Sequence, residues 1–310
     1  MWPDRVWRVE HGSEATDKLG TVQVSEVWRF PVKSMLGERR DRVQLTTEGI
    51  LGDRMWAVID RVDGKVASAK NPRKWRSLLA CRAEFVDEPV AGESPPSVRI
   101  TLPDGATVTS EDRDADHVLS DYVGRAVTLA STAPQGAIFE ETWPDVEGMA
   151  PSEFIDSTQA RVDDGEPVSD LALGLAAPPG SFFDLAPVHL VTTSSLAELR
   201  TREPGSQFAV PRFRPNFVID GPEDGFVENG WVGVDVQLGA DAAVNVMMPT
   251  MRCVMTTLAQ GDLPDDRGVL RAAAAHNRVE ISGLGEWACV GAYCSVVTPG
   301  DVCAGDPVTV

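Results

Sequence analysis

The chain has 310 residues, 43% hydrophobic and 24% charged, a globular composition long enough for two hydrophobic cores. Its 28 basic and 47 acidic side chains leave a net charge of −19, a sign that repels phosphate backbones and argues against nucleic acid as a partner. No apolar run reaches the roughly 20 residues that cross a bilayer, and residues 1–20 lack the apolar core of a signal peptide. The expectation is a cytoplasmic protein whose five cysteines are reduced.

In chain order, residues 1–20 read as an N-terminal extension. From Val22 the pattern is β-rich: Val22–Trp28, the alternating Arg42–Thr46 and the compact run Met55–Asp60 read as strands, with Gly37, Gly49, Gly52 and Asp63-Gly64 at the turns. Val98–Leu102 and Thr107–Thr109 flank Pro103-Asp104-Gly105 as a hairpin, and a helix is expected over Asp112–Val123, capped by Ser110 or Asp112 and stopped by Gly124. Residues 132–187 have low periodicity and are rich in Pro, Gly and acids; a stretch this long is usually functional or connective. The expected division is therefore 1–20, 21–135, an acidic connecting segment 136–185, and 186–310. In the last part Val188–Thr193 reads as a strand, Ser194–Arg200 as a helix with serine caps, Phe217–Asp220, Val232–Leu238 and Val244–Met248 as strands, and Leu270–Ala275 as a short helix. Ala292–Val297 and Pro307–Val310 close the chain as strands. The fold class expected is α+β and β-dominated, in two parts.

Cys253 follows Arg252, and a neighbouring cation favours the thiolate, which is either a nucleophile or a soft-metal ligand. Taken alone, such a cysteine is more often a small buried hydrophobe. Cys289, Cys294 and Cys303 lack zinc or iron–sulfur spacing, alternate with apolar residues and read as core. Basic residues are scarce, so those beside turns carry information: Lys33-Ser34, Arg54 after Gly52-Asp53, Arg212 and Arg214, Arg252, and the hydroxyl run Thr192–Ser195 at a helix start. Guanidinium groups and helix N-termini suit a phosphate-bearing anion. Together with Cys253 they suggest a pocket for a large anionic cofactor carrying a soft metal. The four histidines have no zinc spacing, and no Walker, Rossmann or G-x-S-x-G motif is present. Asp262, Asp265 and Asp266 read as a solvated loop.

Six segments in order carry a resemblance: Phe30–Ser34, Gly49–Arg54 and Trp56–Asp60 in the first half; Arg212–Asn216, Arg252–Thr257 and Pro299–Val308 in the second. The chain resembles the MOSC family, with the associated N-terminal β-barrel domain in front, from about Val22 to Val310, and within it the amidoxime-reducing group. The resemblance implies an N-terminal β-barrel-like domain followed by a MOSC β-barrel domain with short helices. It also implies a molybdenum-cofactor oxidoreductase acting on N-hydroxylated or N-oxide small molecules. Cys253 would be the molybdenum ligand and catalytic thiolate. Lys33, Ser34, Arg54, Arg214 and Arg252 would hold the pterin and its phosphate, with Thr193, Ser194, Arg212 and Asn216 as further cofactor contacts. The group often has a second cysteine where this chain has Thr250. A fused ferredoxin-like domain, found in some bacterial relatives, is absent after Val310, so electrons are expected from a separate ferredoxin- or flavoprotein-like donor. The segment 138–179 matches little in the family and is expected to cover or border the substrate entrance. Alternatives are a sulfur carrier using a persulfide on Cys253, or a non-catalytic cofactor carrier.

Overall fold

The computed structural model describes residues 22–221 and 224–310, so the expected N-terminal extension lies outside it. Its frame is a nine-stranded sheet. Along it run, in spatial order, Glu38–Arg40, Val24–Arg29, Phe217–Ile219, Val188–Thr192, Gly285–Thr298, Ala242–Met251, Asp235–Leu238 and Val308–Thr309, with Arg278–Ile281 joined to Gly285–Thr298. Val188–Thr192 and Phe217–Ile219 pair in parallel, and the crossover that such a pair requires is supplied by the helices Thr193–Arg202 and Val210–Phe213.

The sheet is buried on both faces, because adjacent residues of its central strands point to opposite cores. Leu190, Phe217, Ile219, Ala292 and Cys294 enter one core. Val191, Val218, Ala288 and Val290 enter the other, under the helices Thr193–Arg202 and Gly268–His276. The first core is covered by a second sheet, Gly300–Cys303, Arg42–Thr46 and Gly49–Ile50, which contributes Val43, Leu45, Ile50 and Val302. The arrangement is barrel-like without closing into one continuous sheet. A separate core around Trp75, Leu78, Ile100, Leu119 and Val127 belongs to the first half. There the hairpin Val98–Thr101/Thr107–Thr109 forms where expected; the helix ends on Gly124 at φ 69° as expected but starts at Ala115, after Asp114, rather than at Asp112 with Ser110 or Asp112 as cap.

The β-dominated α+β class is observed. Three further local readings differ. The helix Thr193–Arg202 is capped by Thr192, whose hydroxyl accepts from the Ser195 N–H, rather than by serine. Cys81, Cys289 and Cys294 are buried, but Cys303 is only half-buried. The low-periodicity stretch is folded: Ile138–Thr142, Glu166–Ala172 and Gln159–Asp163 make a three-stranded sheet with the helix Ser152–Thr158 packed against it. Ile138–Thr142 buries Glu140, Glu141 and Thr142, so polar residues occupy inward positions and hydropathy reads the strand as loop. Among the described residues no helix is long and apolar enough to cross a membrane.

Candidate functional site

A cleft of about 690 Å³ lies where the two halves meet, beside the segment Phe183–Ala186. It is lined by Lys33, Ser34, Arg54 and Lys70 from the first half; by His189, Arg212, Arg214, Asn216, Thr250, Arg252, Cys253 and Tyr293 from the second; and by Phe183 to Ala186 between them. Six basic side chains thus face one carboxylate, Asp184, in a chain whose net charge is −19.

The backbone brings these groups inward at unusual conformations. Ser34, Arg54 and Arg214 have φ of 63°, 50° and 55°, the left-handed region that side chains other than Asn and Asp seldom adopt. Each costs about 1–3 kcal/mol and persists only where surrounding contacts determine it. Those contacts are present. The Arg54 N–H donates to Phe30 O at 2.7 Å, and Ser34 Oγ accepts from the Ala69 N–H at 3.0 Å. The Phe30 ring is packed by both guanidinium groups, Arg214 at 4.3 Å and Arg54 at 4.9 Å from its centroid. Gly52, two residues before Arg54, has φ 89°, and a Cβ there would lie 2.8 Å from Phe85 and 2.9 Å from Pro89. This explains the glycine in Gly49–Arg54.

Arg214 Nη1 donates to Met35 O at 2.7 Å, across the two halves, while its Nη2 has no partner in the protein. Burial, then repulsion from Arg54, lowers its pKa to about 9. Arg252 donates from Nη2 to Phe213 O at 3.0 Å, and its Nε is likewise without a partner. Thr250 Oγ1 is a third such atom. An unsatisfied buried polar group costs about 1–3 kcal/mol. Three of the eight such atoms among the described residues line this cleft, so a polar group seated there would find hydrogen-bond partners waiting.

Cys253 sits at the head of the 3-10 turn Val254–Thr257, its side chain 9% exposed. Burial pushes its thiol pKa up; Lys70 and Arg252 act in the opposite direction. The arginine effect expected from sequence is thus present, but burial outweighs it. Lys70 Nζ donates to Glu141 at 3.0 Å and lies 3.5 Å from Asp184, which also pairs with Lys33. Burial opposes the charge on Lys70, but Asp184 and Glu141 together raise its pKa well above the ordinary value. Asp184 is likewise buried, yet Lys33 and Lys70 keep it ionised. His189 is held neutral, first by burial and then by the Arg252 guanidinium. With Nδ1 facing Arg214 O at 3.4 Å, its Nε2 lone pair is turned to Arg252 Nη1 at 3.5 Å.

Of the residues singled out from sequence, Lys33, Ser34, Arg54, Arg212, Arg214, Asn216, Arg252 and Cys253 all line the cleft. Two have structural duties as well. Arg212 gives its guanidinium to carbonyls, donating to Gln207, Thr256, Leu258 and Pro264, and so pins the loop that follows Cys253. Asn216 accepts from the His189 N–H and donates to Asp53, joining the two halves. Thr193 and Ser194 are not cleft residues. Thr193 Oγ1 accepts from the Gly221 N–H, and Ser194 donates to Thr192, which donates to the buried Glu228. A hydroxyl run at a helix start is a generic cap, and here the network around it is closed. Asp265 and Asp266 accept from the backbone N–H groups of Ala259, Gln207 and Gly268, so they fix loops. Sequence reasoning missed Lys70, Asp184, His189 and Tyr293. Only Lys70, as another lysine among many acids, carried a signal.

The MOSC domain model matches residues 179–309, and the MOSC N-terminal beta barrel domain model matches residues 21–125. The chain therefore belongs to the MOSC family. Among curated relatives, mitochondrial amidoxime reducing component 2 from Bos taurus is 25% identical over 300 residues, covering 94% of this chain and 83% of the relative. Its Rattus norvegicus counterpart is 25% identical over 248 residues, 78% of this chain and 67% of that protein. Among solved structures, the YUAD protein from Bacillus subtilis matches with a TM-score of 0.41 at 11% identity, over 93% of this chain and 94% of that one. YiiM from Geobacillus stearothermophilus matches with a TM-score of 0.28 at 20% identity, over 40% of this chain and 53% of that one.

Proposed function

We propose that the cleft binds a molybdenum–pterin cofactor and that the protein is a reductase of N-oxygenated compounds. The observation that carries this reading is the meeting of partnerless N–H groups on Arg214 and Arg252 with the Cys253 thiol in one cationic cleft. Among the described residues no three His, Cys, Asp or Glu side chains gather as they do around a metal held by protein alone. A metal at Cys253 would need a partner that brings its own donor atoms and its own negative charge, and a phosphorylated pterin dithiolate has both. The amidoxime reducing components among the curated relatives are consistent with this chemistry.

When bound, molybdenum supplies two-electron redox chemistry. The chain's residues do the rest. Cys253 provides the protein thiolate, Lys33, Arg54, Arg214 and Arg252 bind the anion, and Ser34 and Thr250 offer hydroxyls. Phe30 and Phe213, stacked against the guanidinium groups, exclude water and strengthen those contacts. In the net reaction an N–OH group, two electrons and two protons give N–H and water: the N–O bond breaks, nitrogen keeps the pair, and oxygen leaves protonated. The electrons come from a separate donor protein.

The test is molybdenum and pterin content per chain in protein purified from a host that makes the cofactor. Near-stoichiometric values, with loss of turnover in Cys253→Ser, are expected. Folded protein with neither, and with a one-sulfur mass gain on Cys253, would replace the reductase by a sulfur carrier.

A further inference from the structure

Tyr293 lies in the strand Gly285–Thr298 between Ala292 and Cys294, whose side chains enter the first core. Successive side chains of a strand point to opposite faces, so Tyr293 turns to the cleft. Its register partner His189 does the same from between Val188 and Leu190, and the two rings are 5.8 Å apart at 52°. Tyr293 also lines a second cavity, of about 810 Å³, which shares Lys70, Asp184, Leu185, Met251 and Arg252 with the cleft. The half-buried phenol thus stands on the boundary between the two, with Cys253 in the wall of the first. Tyr122, the other tyrosine of the chain, donates to Ser77 O at 2.9 Å. The Tyr293 hydroxyl donates to no group among the described residues, although the charges of Lys70, Arg252, Asp184 and Cys253 all reach it.

The structure assigns Tyr293 as the proton donor to the oxygen that leaves an N–OH group, which rests on the reductase reading. The other acids of the cleft are committed. Lys70 is held between Glu141 and Asp184, and Lys33 between Asp184 and Phe182 O. A proton lost from either lysine would leave a carboxylate buried against a neutral amine. His189 is neutral, with Nε2 turned to Arg252. Ser34 and Thr250 carry aliphatic hydroxyls, far weaker acids than a phenol. Hydroxide is the conjugate base of water, with a pKa of about 15.7, so transfer to it from a phenol is downhill. Desolvation raises the Tyr293 pKa while Lys70 and Arg252 lower it. The proton therefore stays on the phenol until a strong base forms beside it, and the phenolate left behind faces two cations. The step balances. Two donor electrons and the two of the N–O bond leave one pair on nitrogen and one on oxygen. The Tyr293 O–H bond breaks, and its proton makes the second O–H bond of the water released. Solvent gives one proton to nitrogen and one to the phenolate.

The test compares the wild-type protein with Tyr293→Phe, which keeps the ring beside His189 and deletes only the hydroxyl. With acetamidoxime and excess chemical reductant, kcat is expected to fall about 100-fold while KM, Tm and molybdenum content stay unchanged. A second readout needs no turnover. Loaded protein labelled with 13C at tyrosine Cζ has two signals, and acetamidoxime added without reductant should shift that of Tyr293 but not that of Tyr122. Undiminished kcat in the variant, or a Tyr293 signal that does not move, would overturn the proton donor and leave the reductase standing. Loss of molybdenum together with kcat would overturn it as well, by making the hydroxyl part of the cofactor site. Loaded wild-type protein that turns over no N-hydroxylated compound would remove the reductase, and the proton donor with it.

Discussion

Arg54 is half-buried and paired with Asp53, and the partner matters more to the fold than the arginine does. The Asp53 carboxylate is buried and accepts from the Phe30 N–H at 2.7 Å and Asn216 Nδ2 at 2.9 Å as well as from Arg54. Asp53→Ala would strand three donors, one of them a cation, and is expected to lower stability by about 3 kcal/mol or more, read by urea denaturation. A change under 1 kcal/mol would mean that water replaces the carboxylate. Gly291 is a second sensitive point: at φ 80°, a Cβ would sit 2.4 Å from Leu190 O and 2.6 Å from His189 Nε2. Gly291→Ala is expected to displace His189 from Arg252 and lower cofactor occupancy together with Tm. Unchanged metal content at an unchanged Tm would show that the cleft does not depend on that close approach.

At the scale of the element, the inserted sheet is tied to the first half in part through the buried carboxylate of Glu140. Glu140 accepts from Lys65, Lys74 and Asn71 and pairs with Arg161. Burial alone would raise its pKa, but Arg161, Lys74, Lys65 and Asn71 lower it from 4.5 to about 2. A carboxyl group with a depressed folded-state pKa contributes stability that is complete above its unfolded value and disappears as pH falls through the folded one. Tm should therefore drop between about pH 4.5 and 2, and Glu140→Gln should lower Tm at neutral pH while flattening that acid slope. An identical slope in the variant would assign the acid sensitivity to other groups. This sheet was also the least legible part of the sequence. Strands such as Val188–Thr192 announce themselves by an apolar run, but Ile138–Thr142 places Glu140 and Glu141 inward against lysines distant in the chain. The cleft's cations were legible, because lysines and arginines beside turns stand out in so acidic a chain. His189 and Tyr293 were not, since they sit inside ordinary strands and meet Arg252 only through sheet register.

At the scale of the whole molecule, the two matched domains do not correspond to two separable bodies. Val24–Arg29 and Glu38–Arg40 extend the sheet of the second half through Phe217–Ile219, while Gly300–Cys303 returns to pair with Arg42–Thr46. A fragment covering 179–310 alone would expose the edge of Phe217–Ile219 and lose Val24, Val27, Val43, Leu45 and Ile50 from its core. It is expected to be insoluble or associated, as judged by light scattering, whereas the full chain unfolds in one transition. A monomeric, folded fragment would contradict this.

The same interlacing sets an order of events on the ribosome. The strand that Val24–Arg29 needs is made about 190 residues later, some 10–40 s at usual synthesis rates. Cys253 and Tyr293 emerge later still. The cationic cleft therefore takes shape only after Tyr293 has been made, so an anion that binds there meets both halves together rather than the nascent first half.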